Sequence, residues 1–231
     1  MPHIARGIVP LVTAAFVCII AGAAMRSGQQ QRAALEARFI GQMAFAISDG
    51  SVTIVTDFPY QIGYVDAPAY SPNELSGGPS TLALITHKHL DHWEPAFFAK
   101  TSWKVAGPDD VISSVAADRV VALKGETTWG PVQIEPLETP HARIGHYSYI
   151  VTWQGKRLYF SGDTDDGRSV ILAKNLDAAF VSPWLYRIVM RVGRRIDAKR
   201  VVIYHHEAGQ QIPECDAGCL VPKQGDTIPI Q

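Results

Sequence analysis

Residues 84–92 read LITHKHLDH, and three of the chain's eight histidines, His87, His89 and His92, stand there beside Asp91. Imidazoles and carboxylates set this close either hold metal or form a cluster of polar groups that burial and mutual repulsion both disfavour. The same residue types recur downstream: His141 in ETPHARIGH, Asp163 in YFSGDTDDG, and His205 followed by His206 in VVIYHHE. A catalytic zinc ion takes about three or four N or O ligands and keeps one position open. Seven side chains therefore suit two ions. His87 and His89, two apart, can point at one ion that His141 completes, while Asp91 and His92 turn to a second with His205. Asp163 can bridge the pair, because a carboxylate has two oxygens to offer and an imidazole does not. Each histidine taken singly reads as an ordinary hydrogen-bonded side chain. Five of eight falling at strand ends beside carboxylates is a joint pattern with a chemical purpose.

The elements that must position these groups are short strands bounded by Gly, Pro, Asp or Asn. Strands are predicted over 51–56, 81–86, 104–106, 120–123, 132–136, 147–153, 157–160 and 200–204, and helices over 95–100, 109–116, 168–175 and 186–198. Asp57, His87, Asp163 and His205 each sit just after a strand. Converging loops can build a site there while the strands stay buried. The tally implies a mixed α/β (α+β) domain of sheets covered by helices, assigned to residues 48–231. Upstream, Leu35, Phe39 and Met43 fall at helical spacing, which predicts a linker or packing helix over 29–47.

Residues 1–28 carry a basic start, an apolar run from Ile8 to Met25 and the small-residue set Ala21-Gly22-Ala23-Ala24. These are the parts of a secretory signal, and an uncleaved membrane anchor is the other reading. Export to a periplasmic or extracellular location is expected, with any membrane contact made through this segment. Outside it two cysteines remain, Cys215 and Cys219, and an oxidising compartment would allow them to close a small loop. The 231 residues, 47% of them hydrophobic, can bury a substantial core. A formal charge of -1 gives no general electrostatic case for nucleic acid as a partner.

The string THKHLDH resembles the H-x-H-x-D-H signature of the metallo-β-lactamase-fold hydrolases. The resemblance continues in order through TIVTDFP ending at Asp57, His141, the G-D-T around Asp163, and His205. The opening IVTDFP and closing LVPKQGDTIPI look most similar to the ascorbate-phosphate lactonase-like branch. What the resemblance implies is an αββα sandwich with metals at one edge of the two sheets and metal-assisted hydrolysis of a small-molecule substrate. In such chemistry two divalent cations, zinc first with manganese or iron also fitting the donor set, acidify a shared water. Asp91 would bind the second metal and handle the water's proton, and Asp57 would hold the histidine loop by accepting hydrogen bonds. Asp163 stands where the commonest zinc β-lactamases have a cysteine, so antibiotic hydrolysis is not implied.

His146, Trp184 and His206 are candidates for substrate contact, with Trp129, Tyr186 and Arg187 also in nearby loops or loop edges. The stretch 187–200, with Arg187, Arg191, Arg194, Arg195, Lys199 and Arg200, reads either as the solvated face of an amphipathic helix or as an anion patch. The second reading would suit a phosphodiesterase or nuclease. A non-catalytic metal-binding module of the same fold is a further alternative.

Overall fold

The computed structural model describes residues 1, 3, 33–58, 80–206, 209–212, 215 and 219–231. The chain divides into two units, 1–31 and 32–231. Of the first unit only Met1 and His3 are described, so the expected signal or anchor segment lies outside the described residues. Among the described residues no helix is long and apolar enough to cross a membrane.

The second unit runs β1 (Glu36–Gly41), β2 (Ala44–Ser48), β3 (Thr53–Thr56), β4 (Thr81–Leu84), α1 (Pro95–Phe98), β5 (Lys104–Ala106) and α2 (Asp109–Ile112). After a single turn at Ala117–Arg119 come β6 (Thr127–Trp129), β7 (Val132–Glu138), β8 (Tyr147–Trp153), β9 (Lys156–Phe160), α3 (Gly167–Leu172) and β10 (Ala178–Val181). The chain closes with α4 (Pro183–Arg191), β11 (Val201–Ile203), β12 (Cys219–Leu220) and β13 (Thr227–Pro229). One sheet has the order β13-β1-β2-β3-β4-β5 and the other β12-β11-β10-β9-β8-β7-β6.

Alternation along the strands sorts residues between layers. In β8, Tyr149, Val151 and Trp153 join Phe45, Leu82, Leu84 and Phe180 in the core between the sheets, while Ile150 faces outward. The outer face of the first sheet is covered by Trp93, Phe98 and Trp103, and that of the second by Val170 of α3 and Leu185 and Val189 of α4. These are the four layers of an αββα sandwich, as expected. β3, β4 and β5 are mutually parallel, as are β9, β10 and β11. Their C-terminal ends therefore open on one edge, where loops are free to diverge from the packed strands.

The helix predicted over 29–47 is overturned where the chain is described. Residues 36–48 form the β1–β2 hairpin, paired antiparallel from Glu36 opposite Ser48 to Gly41 opposite Ala44. Leu35, Ala37, Phe39, Met43, Phe45 and Ile47 all enter the inter-sheet core. A spacing of four returns to the same face in both a helix and a strand, so Leu35, Phe39 and Met43 could not distinguish them. The turn decides, with Gly41 and Gln42 at φ 137 and 50. The sandwich domain, expected to start at residue 48, thus takes in residues 36–48 as well.

Residues 120–123 form no strand, only a single bridge from Val120 to Val105. The last helix starts and stops earlier than predicted. Ser182 caps it by accepting from the Leu185 N–H at 3.3 Å, and Pro183 fits the first turn, where no N–H is required. It ends at Gly193, φ 66, where Arg194 N–H donates to Val189 O and Gly193 N–H to Met190 O. Cys215 and Cys219 are joined as a disulfide with Cα atoms 5.2 Å apart.

Candidate metal centre

The histidine loop leaves β4 through Thr86, which is held from three sides. Its N–H donates to Asp57 Oδ1 at 2.6 Å and its hydroxyl to Asp57 Oδ2 at 2.9 Å, while its carbonyl accepts from Tyr147 N–H of the other sheet at 2.9 Å. Having donated its proton to Asp57, the Thr86 hydroxyl can only accept from His87 Nδ1, 3.0 Å away. That leaves Nε2 of His87 bare. His89 O then accepts from the N–H groups of both His92 and Trp93, curling the loop back on itself. Lys88 and Leu90 point away, Lys88 to an ion pair with Asp110 at 3.2 Å and Leu90 into solvent with 56% exposure.

Two groups of ligand atoms result. His87, His89 and His141 form one; Asp91, His92, Asp163 and His205 form the other, and within each group the ligand atoms lie within 4.8 Å of one another. In the first, His89 Nδ1 is 3.0 Å from His87 Nε2 and 3.2 Å from His141 Nε2. In the second, Asp163 Oδ2 lies 3.3 Å from His92 Nε2 and 3.4 Å from His205 Nε2, and Asp91 Oδ2 lies 3.9 and 3.7 Å from the same two nitrogens. His87, His89 and His141 fall in one group and Asp91, His92 and His205 in the other, while Asp163, expected to bridge the two, is not shared between them. Asp163 stands with the second group.

The remaining features hold these side chains in place. Asp57 adds a 3.3 Å contact to His92 Nδ1, behind the candidate ligand atoms. Each residue of the G-D-T string has a separate task. Gly162 lies so close to His146 that a Cβ there would clash with the ring's Nε2. Asp163 is the candidate ligand, and Thr164 donates to Pro140 O at 2.9 Å, tying the loop to the one that carries His141. Tyr204 donates to Gly162 O, and His205, at φ 57, donates its N–H to Gln42 O of the β1–β2 turn at 2.6 Å. Position 205, not 206, is therefore the last ligand candidate.

The donor set fits a cation. His92 Nε2 and Asp163 Oδ1 are buried with no hydrogen-bond partner, although His92 Nε2 lies close to Asp163 Oδ2. Buried polar atoms seldom remain so without an ion or water to satisfy them. Electrostatics agree in direction. Burial, helped by the charge of His92, pushes His87 far below the ordinary histidine value. Against its own burial, the carboxylates of Asp163 and Asp57 push His92 up to about 10. Against its burial in turn, His92 and His205 hold Asp163 well below the ordinary carboxylate range. A pair this strongly charged in a buried site is what a divalent cation would replace and neutralise.

Of the predicted substrate contacts, Trp184 is the best placed, its ring edge-on to His205 with centroids 4.8 Å apart. His206 is turned away and donates to Pro222 O at 3.0 Å. His146 is buried behind Asp163, and burial first and His141 second push it down to about 3. Trp129 packs against the inter-sheet core, and Tyr186 is buried among the residues under α3 and α4. The basic stretch is not one free patch: Lys199 pairs with Asp177 at 2.7 Å and Arg200 donates to Pro229 O at 3.1 Å. Thr86, Thr139, Ser148 and Gln42 support the site and were not singled out in the sequence. Of these only Thr86, directly before the histidine string, had a position that could have marked it.

No family model matches the chain. A UPF0173 metal-dependent hydrolase of Deinococcus radiodurans is 27% identical over 164 residues, 64% of this chain and 71% of that protein. Among solved structures, Igni18, a metallo hydrolase of the archaeon Ignicoccus hospitalis, gives a TM-score of 0.66 at 16% identity, covering 85% of this chain and 98% of that one. The metallo-β-lactamase fold protein YhfI of Bacillus subtilis gives 0.61 at 15% identity, covering 84% and 99%. The layered sheets and these structural likenesses give the chain the metallo-β-lactamase fold, with the ordered histidine and aspartate motifs gathered at one edge of it.

Proposed function

We propose that the chain is a metal-dependent hydrolase with a dinuclear, zinc-type centre that cleaves an ester, lactone, amide or phosphodiester bond of a small molecule. The observation that carries this reading is the pair of adjoining candidate ligand groups, with Asp163 Oδ1 buried and without a hydrogen-bond partner. His87, His89 and His141 would hold one cation and Asp91, His92, Asp163 and His205 the other. When bound, such cations lower the pKa of a coordinated water toward neutrality and offset the charge that develops on the attacked group. The protein's own groups do the rest. Asp91 keeps 28% of its side chain exposed, so its carboxylate can take a proton from the attacking water and release it to solvent. Asp57 and Thr86 fix the ring orientations of His87 and His92. Trp184 supplies an aromatic wall beside His205 for a flat or apolar part of the substrate.

The lactonase-like branch resemblance makes lactones the first substrates to try. Export is part of the same proposal, supported by the apolar run at 8–25 and by the Cys215–Cys219 disulfide. The test is elemental analysis of the purified chain followed by a panel of esters, lactones, amides and phosphodiesters, with His87→Ala and Asp163→Ala alongside. Two equivalents of metal and hydrolysis in the wild type, with both reduced in the variants, are expected. Unchanged metal content in both variants would overturn the site, and a wild type that binds metal but cleaves nothing would favour a binding module.

A further inference from the structure

His146 shares its residue type with the ligands and lies among them, its ring 5.2 Å from that of His87 and 5.3 Å from that of His141. Yet neither nitrogen is free to bind metal. The direction of every hydrogen bond around it follows from one fixed end. Ser148 donates its only hydroxyl proton to Ser161 O at 2.8 Å, so its oxygen must accept from the Thr139 hydroxyl at 3.1 Å. Thr139, its proton spent, must accept from His146 Nδ1–H at 2.8 Å. His146 Nε2 is then bare and accepts the backbone N–H of Asp163 at 3.0 Å. The relay is fully satisfied, and Thr139, His146, Ser148 and Ser161 are all buried.

The ring also leaves no slack around itself. A Cβ on Gly162 would clash with His146 Nε2 and stand 2.8 Å from Thr86 Cβ, so the imidazole fills the gap between the ends of β4 and β9. It thereby sets where the Asp163 peptide lies. That peptide sets where the Asp163 carboxylate leaves the backbone, and this carboxylate is the group that meets both His92 and His205. The first cluster takes no ligand from this loop.

We propose that His146 is a positioning residue, which through the Ser148–Thr139–His146 relay aims Asp163 and so sets the cation affinity of the second cluster and not that of the first. The proposal rests on the two-cation reading given above. Removing a partner of this kind lowers metal affinity by about 10–100-fold. The full chain, stripped of metal, is titrated with Co2+ alone, following the visible absorption of each equivalent. Wild type is expected to take up two equivalents. His146→Leu, close in size but unable to hydrogen-bond, should bind one as wild type does and the other about 10–100-fold more weakly. His146→Gln, whose carboxamide supplies one acceptor and one donor, should recover most of the loss, and Thr139→Val should show a smaller loss at the same equivalent. A wild type that binds fewer than two ions overturns the two-cation reading and the proposal with it. If wild type binds two and His146→Leu binds both equally well, or loses both together, the proposal fails while that reading stands. Failure of His146→Gln to recover any affinity would likewise overturn it.

Discussion

Asp57 is 1% exposed and carries three contacts on one carboxylate, so Asp57→Asn tests how much the histidine loop depends on it. The substitution keeps the volume, and asparagine tolerates the residue's φ of 38 as aspartate does, which leaves the backbone and packing unchanged. One oxygen can still accept the 2.6 Å bond from Thr86 N–H. The other becomes an NH2 group facing the Thr86 hydroxyl at 2.9 Å and His92 Nδ1 at 3.3 Å, both of which donate to it in the native protein. Hydrogen bonds to charged groups contribute roughly 1.5–3 kcal/mol each, so losing two removes about 3–6 kcal/mol. The Thr86 hydroxyl can rotate to soften the clash, which puts the expected loss near the lower end, at about 3 kcal/mol. Urea denaturation of the chelated protein reads it as a lower midpoint at unchanged slope. The same variant should bind cations roughly 10–100-fold more weakly, because the ring of His92 loses its orientation. Stability within about 0.5 kcal/mol of wild type, together with unchanged cation affinity, would refute the role given to Asp57.

Two further outcomes follow from the charges and the cross-link. In metal-free protein the folded-state pKa of His92, about 10, lies above its ordinary value of 6.5, so its protonation stabilises fully below 6.5 and that contribution is lost as pH rises through 10. His87 and His146, held neutral by burial, act in the opposite sense and only at or below the ordinary value of 6.5. Chelated protein should therefore be most stable near neutral pH and lose Tm steadily toward pH 10, and a rising Tm over that window would show that His92 is not charged in the fold. Replacing both Cys215 and Cys219 by alanine opens a loop with a sequence separation of 4. Loop-closure entropy for a ring this small gives a loss of about 2 kcal/mol in chemical denaturation, and no change would mean that the thiols are unlinked in solution.

Much of the site was legible because ligands are made of unusual residue types in unusual density. His87, His89, Asp91 and His92 announce themselves within six positions, and Asp163 and His205 each follow an apolar run that reads as a strand. The hairpin at 36–48 was not legible, because apolar residues four apart satisfy both regular periods and only the backbone of Gly41 and Gln42 separates them. The roles of His146 and His206 were hidden for a different reason. An imidazole that binds metal and one that holds a neighbouring peptide look alike in sequence, and the difference lies in partners such as Thr139 and Pro222, which meet them only after the loops and strands have closed. Short elements such as β12 and β13 carry too few residues to show a pattern and exist because a neighbouring strand offers them an edge.

Each ligand group draws on both sheets. His87 and His89 follow a strand of one and His141 lies between two strands of the other; Asp91 and His92 likewise face Asp163 and His205 across the same seam. A cation in either group would thus act as a clasp between the two halves of the sandwich, closing a span from residue 87 to 141 or from 91 to 205. Its binding energy would bear directly on sheet-to-sheet cohesion, since a chain whose halves have parted offers only half of each ligand set. Loading the centre would then slow the deepest openings of the molecule, those seen in amide exchange of the central strands, and leave fraying at the edges as it was.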